Sequence, residues 1–86
     1  MTGGQAAVVA DELRTILVEV TGRDELRDIP VDTPLFGAGV GLDSLAGTLL
    51  LRQVKRRYGV DVAAEDLNLD ALATLGTLAD FLVARS

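Results

Sequence analysis

Eighty-six residues, 49% of them apolar but only 3% aromatic, make one small domain whose core must come from leucine, valine and alanine. There is no cysteine and no histidine, which excludes disulfides, thiolate chemistry, the usual general base and the commonest zinc ligands. The net charge of −5 argues against nucleic-acid binding, which needs a basic face to displace counterions.

No stretch approaches the ~20 apolar residues of a membrane span. The start, MTGGQAAVVA, lacks the basic lead and long apolar core of a signal peptide. A cytoplasmic monomer that meets neither membrane nor nucleic acid is the expectation. A chain this short buries about 60–65% of its unfolded surface, so its stability margin is thin.

Met1 to about Gln5 is small and polar and is expected to fray. From Ala7 onward, Val9, Leu13, Ile16, Leu17 and Val20 recur at helical spacing, with Asp11, Glu12, Arg14 and Glu19 off the stripe. That pattern predicts a helix of about four turns, closed by Thr21 and by Gly22 as a left-handed cap. Residues 22–43 follow without period, broken by Pro30, Pro34, Gly37, Gly39 and Gly41. A loop longer than ~15 residues is uncommon and usually functional. Its apolar residues Ile29, Val31, Leu35, Phe36 and Leu42 predict packing across a helical bundle, with Leu35, Phe36 and Leu42 as the anchors.

The second helix is predicted from Ser44 to about Tyr58, with Leu45, Leu50, Val54 and Tyr58 toward the core, Leu51 at its edge and Gly59 as its stop. Gly47 within it costs about 1 kcal/mol relative to alanine, which points to a need for close approach. A short third helix is expected near Ala63 to Asn68. Thr74 can cap a fourth, which carries Leu75, Leu78, Phe81 and Leu82 inward. The expected fold is all-α: a single domain over residues 1–86, a small four-helix bundle of three main helices and one short one, with a long loop between the first two.

The stretch GVGLDSLAGTL sets Ser44 at the boundary between loop and helix. Ser44 or Asp43 can serve simply as the helix N-cap. The serine is not arranged as a nucleophile. Gly41 and Gly47 each stand three positions away, so the Gly-x-Ser-x-Gly elbow is absent. No histidine can act as base, and Lys55, the one lysine, lies three turns along the helix. GAGVG fits neither the dinucleotide nor the P-loop pattern. Asp24, Glu25, Asp28 and Asp32 lack calcium-loop spacing and read as solvated charges, so no metal site is expected. Ser44 is therefore either part of a cap or a place where another enzyme attaches a group.

Taken together, the amphipathic first helix, DTPLFGAGVGLDSL, RRYGVDV and EDLNLDALATLGTLADFL resemble the acyl and peptidyl carrier proteins, in that order and over nearly the whole chain. The resemblance implies a 4'-phosphopantetheine arm, derived from coenzyme A and attached to Ser44 by a phosphopantetheinyl transferase. Asp43 would position the serine and face the transferase. The protein would be a non-catalytic, stand-alone carrier holding its cargo as a thioester. Acidic second helices are usual in carriers of fatty-acid synthesis, whereas residues 45–58 here hold Arg52, Lys55, Arg56 and Arg57 and no acid. This departure turns the expectation toward polyketide or nonribosomal-peptide biosynthesis, of the kind that makes antibiotics. An acyltransferase would load the carrier there, or an adenylating ligase if the cargo is aminoacyl. Synthase, condensation or tailoring enzymes would then use it. Leu45, Thr48, Leu49, Arg52 and Arg56 are the expected partner-facing residues. The competing class is a helical interaction module without a prosthetic group.

Overall fold

The stripe of Leu13, Ile16 and Leu17 forms the inner face of the first helix, and these side chains are fully buried against the rest of the chain. A computed structural model describes residues 2–62 and 69–85. In chain order it has helix α1 (Thr2–Thr21), a 3-10 turn (Asp24–Asp28), helix α2 (Ser44–Tyr58), a second 3-10 turn (Leu69–Leu72) and helix α3 (Leu75–Arg85). Among the described residues there is no strand, only an isolated antiparallel bridge between Pro34 and Thr74. The fold is the expected small all-helical bundle. The short helix anticipated at residues 63–68 lies outside the described residues.

Helix α1 begins at Thr2, ahead of the predicted Ala7, and takes in residues expected to fray. Once a helix is nucleated, each added residue gains one hydrogen bond for two fixed dihedrals, so extension is far easier than initiation. Its other end follows the prediction: Gly22 takes a φ of 73° and donates its N–H to the Val18 carbonyl at 2.7 Å.

From α2 the core receives Leu50 and Val54, and from α3 Leu75, Leu78, Phe81 and Leu82. Thr74 caps α3 as predicted, through a reciprocal pair. Its Oγ1 accepts from the Thr77 N–H at 3.1 Å, and Thr77 Oγ1 accepts from the Thr74 N–H at 2.9 Å. No described residue buries a polar or charged side chain. The Tyr58 hydroxyl, at the end of α2, donates to Glu12 on α1. Burial, and then the bond to the Glu12 carboxylate, push the phenol well above its ordinary pKa, so it remains a donor.

The long loop is stitched to the bundle rather than draped over it. The N–H groups of Leu75 and Gly76 donate to the carbonyls of Thr33 and Val31, at 3.3 and 2.7 Å, so the loop satisfies the free donors that begin α3. Leu35 donates to the Ala73 carbonyl and accepts from Leu42, each at 3.1 Å. Arg14 Nε reaches the Ile29 carbonyl at 2.8 Å, and Arg23 holds that of Val40.

Loop packing follows prediction for Leu35 and Leu42, which are buried, but not for Phe36, which is 40% exposed, nor for Val31, 48% exposed. The bridge at Pro34 makes this stretch locally extended, and neighbouring side chains of an extended segment point opposite ways. Leu35 turns inward, and Phe36 therefore turns out. Leu26 and Val40, which the apolar pattern of the loop does not single out, are both buried. Leu26 sits in the Asp24–Asp28 turn among charged neighbours that hide it from any periodicity.

Candidate functional site

Helix α2 starts immediately after Asp43, at Ser44. Asp43 has extended backbone angles (φ −88°, ψ −179°), and its Oδ1 accepts from the Ala46 N–H at 2.7 Å. Asp43 is the N-cap, and Ser44 is the first helical residue. Asp43→Ala should therefore cost about 0.5–2 kcal/mol in chemical denaturation, the usual loss for a capping side chain.

Because Asp43 does the capping, the serine hydroxyl has no such task. Ser44 is exposed, and among the described residues no hydrogen bond takes up its Oγ. Its carbonyl accepts from Thr48 Oγ1 at 2.8 Å. In the first turn the Ala46 and Gly47 N–H groups are taken by Asp43, through its Oδ1 and its carbonyl at 2.7 and 2.8 Å. This leaves those of Ser44 and Leu45 at the positive end of the helix dipole, with no acid in that turn.

At about 3.6 residues per turn, the exposed residues Ser44, Leu45, Thr48, Arg52, Lys55 and Arg56 share one side of α2. The buried Gly47, Leu50 and Val54 form the opposite side. Leu45, predicted inward by spacing and outward by the family resemblance, is 69% exposed because it lies well round the helix from Leu50 and Val54. Four of the five expected partner-facing residues (Leu45, Thr48, Arg52 and Arg56) thus lie together with Ser44. Leu49 is half-buried and turns aside. It lines an open groove of about 290 Å³ between α1 and α2, with Val20, Arg23, Leu42 and Ala46.

On the other flank Phe36 lies over Gly47. A Cβ at Gly47 would sit 3.1 Å from Phe36 Cε1 and 3.3 Å from Cζ, so glycine's lack of a side chain is what lets the ring settle on the helix. The close approach predicted for Gly47 is real, and its partner is this ring. The groove and the placement of Phe36 escape sequence reasoning, since both depend on how the loop folds back. The acids Asp24, Glu25, Asp28 and Asp32 are all exposed, and no cluster among the described residues could hold a metal ion.

Residues 11–82 match the family model described as "Phosphopantetheine attachment site". The chain belongs to that family. No curated protein and no solved structure matches the chain significantly. Members of the phosphopantetheine attachment site family carry a 4'-phosphopantetheine prosthetic group. The start of α2 suits such a group. It offers an exposed hydroxyl on the first helical residue, and the free N–H groups of Ser44 and Leu45 and a positive dipole end for a phosphate. The helix has cations and no acid of its own, the neighbouring carboxylates being the capping Asp43 and Asp61, which pairs with Lys55 at 3.3 Å. None of the described helices is long and apolar enough to cross a membrane.

Proposed function

We infer that this protein is a non-catalytic acyl carrier, with 4'-phosphopantetheine attached at Ser44. The observation that carries the reading is the division of labour at the start of α2. Asp43 caps the helix and leaves the Ser44 hydroxyl exposed and unengaged on its first turn. In the attachment reaction Ser44 Oγ bonds to the pantetheine-bearing phosphorus of coenzyme A. The pyrophosphate bridge breaks, and adenosine 3',5'-bisphosphate leaves. The serine proton passes to a base on the transferase, since this chain has no histidine. Asp43 fixes the backbone that aims Ser44 outward, and the free N–H groups of Ser44 and Leu45 with the helix dipole stabilise the phosphodiester. When bound, the arm supplies a terminal thiol, which holds the cargo as a thioester and which this cysteine-free chain lacks.

Partner enzymes are read as approaching along Leu45, Thr48, Arg52 and Arg56, with Leu49 at the margin. The absence of any acid in α2 and its three basic residues in the last turn favour partners with acidic surfaces. That face supports a dedicated natural-product pathway rather than fatty-acid synthesis, and we place the carrier in the cytoplasm as part of the same proposal. An acyltransferase or adenylating ligase would load the carrier, and synthase or tailoring enzymes would unload it.

Incubation with coenzyme A and a broad-specificity transferase tests the core of this reading. The mass should rise by a single phosphopantetheine; an unchanged mass with several active transferases overturns it. For the partner face, Arg52→Glu with Arg56→Glu should slow loading by the cognate enzyme, mainly through on-rate and more at low salt. Stability should hardly change, because solvated charges contribute little. Loading rates indifferent to both changes exclude this face.

A further inference from the structure

We propose that the exposed face of Phe36 is a resting surface for the branched aliphatic segment of the phosphopantetheine arm, the part nearest the phosphate. This inference rests on attachment at Ser44.

The chain has two phenylalanines and one tyrosine. Phe81 is in the core, and Tyr58 packs partly against it with its hydroxyl bound to Glu12. Phe36 differs: it is a large apolar side chain left 40% exposed. It is also held in place. The backbone of the preceding Leu35 is bonded on both sides, to Ala73 and Leu42, and the ring tip sits against the helix at Gly47. The result is a fixed aromatic ring whose tip rests on α2 and whose exposed part faces solvent.

Its position relative to Ser44 makes it a site for the arm. Gly47 follows Ser44 by three residues, and side-chain positions so spaced lie about 5–6 Å apart on a helix. The ring tip that packs on Gly47 is thus beside the point where an arm on Ser44 begins. Going outward from the phosphate, the first bulky element of phosphopantetheine is a carbon bearing two methyl groups, which has no polar atom to satisfy. An aromatic face is an apolar neighbour for such methyls. Because the arm is tethered, the contact is intramolecular. A short flexible link gives an effective concentration in the millimolar range, so even a weak contact is populated. The groove on the opposite flank, lined by Val20, Leu42 and Leu49, is the competing place for the same methyls.

The test uses full-length protein loaded by a transferase from coenzyme A carrying 13C-labelled pantoyl methyls, with loading verified by mass before spectra are recorded. The methyl resonances are expected to move upfield of those in free coenzyme A, by the ring current, and to show cross-relaxation to the Phe36 ring protons. In Phe36→Leu, whose fold is checked from its amide spectrum, the displacement should vanish while cross-relaxation to the new side chain persists. Gly47→Ala, which pushes the ring off the helix, should reduce both signals. Loaded wild-type protein with methyl shifts equal to those of free coenzyme A overturns the proposal, as does cross-relaxation to Val20, Leu42 or Leu49 instead. A mass that never changes rejects attachment itself, and is read separately from either spectral outcome.

Discussion

Ser44→Ala is expected to fold normally and to accept no phosphopantetheine. Its stability should stay within about 0.5 kcal/mol of wild type, because an exposed side chain with no partner is removed and alanine suits a helix. Had Ser44 been the cap, the same change would cost about 0.5–2 kcal/mol. Denaturation therefore separates the two roles independently of modification. Other hydroxyls should not substitute for it. Thr15, Thr21 and Thr48 each donate to the carbonyl four residues back along their own helix. Ser44→Thr should also be modified poorly, since the added methyl restricts χ1 and crowds the oxygen as it approaches phosphorus. Mass spectrometry of the three proteins after transferase treatment gives the answer. An alanine variant that still gains the arm would show that Ser44 is not the acceptor.

Leu35→Ala should be the most damaging loop substitution, at about 2–5 kcal/mol, enough to unfold much of a domain this small. Leu35 is fully buried, and its backbone joins the loop to both Ala73 and Leu42, so the cavity opens where two segments meet and neither can easily collapse into it. Phe36→Ala, one residue on, should cost less than half as much, because a large share of the ring already faces water. Chemical denaturation of the pair measures the contrast. Equal losses would mean that the loop does not divide its side chains between core and surface as described.

That contrast also marks how far residue order alone can reach. Helical periodicity finds Leu13, Ile16, Leu17, Leu50, Val54, Leu75, Leu78 and Leu82, because a regular helix fixes the direction of each side chain from its position in the chain. Capping chemistry finds Thr74 and the pair Asp43–Ser44 in the same local way, though only the geometry tells which of the two accepts the Ala46 N–H. The loop obeys no period. Its side-chain directions are set by bonds to residues about forty positions away, such as Leu35 to Ala73 and Gly76 to Val31. Apolar character alone thus puts Phe36 and Val31 inside and passes over Leu26 and Val40. For the candidate site, Ser44, Thr48, Arg52 and Arg56 on the exposed face of α2 were visible in the sequence, whereas spacing alone turned Leu45 inward and Leu49 is half-buried. The ring on Gly47 and the groove beside Leu49 were not visible, since both are made by tertiary return of the loop.

The fifteen residues of α2 carry four cations and no acid, so all thirteen acids and only four cations lie elsewhere in the chain. The net charge of the molecule is therefore opposite in sign to that of the residues of α2, two of whose neighbours, the capping Asp43 and the Lys55 partner Asp61, are acids. On an anion-exchange support it should be retained by its acidic remainder, with α2 turned toward the mobile phase. Protein immobilised this way at low salt should still offer its serine to a transferase passing over the column, whereas a cation exchanger, to the extent that it retains the chain at all, would hold it by α2 and shield that serine.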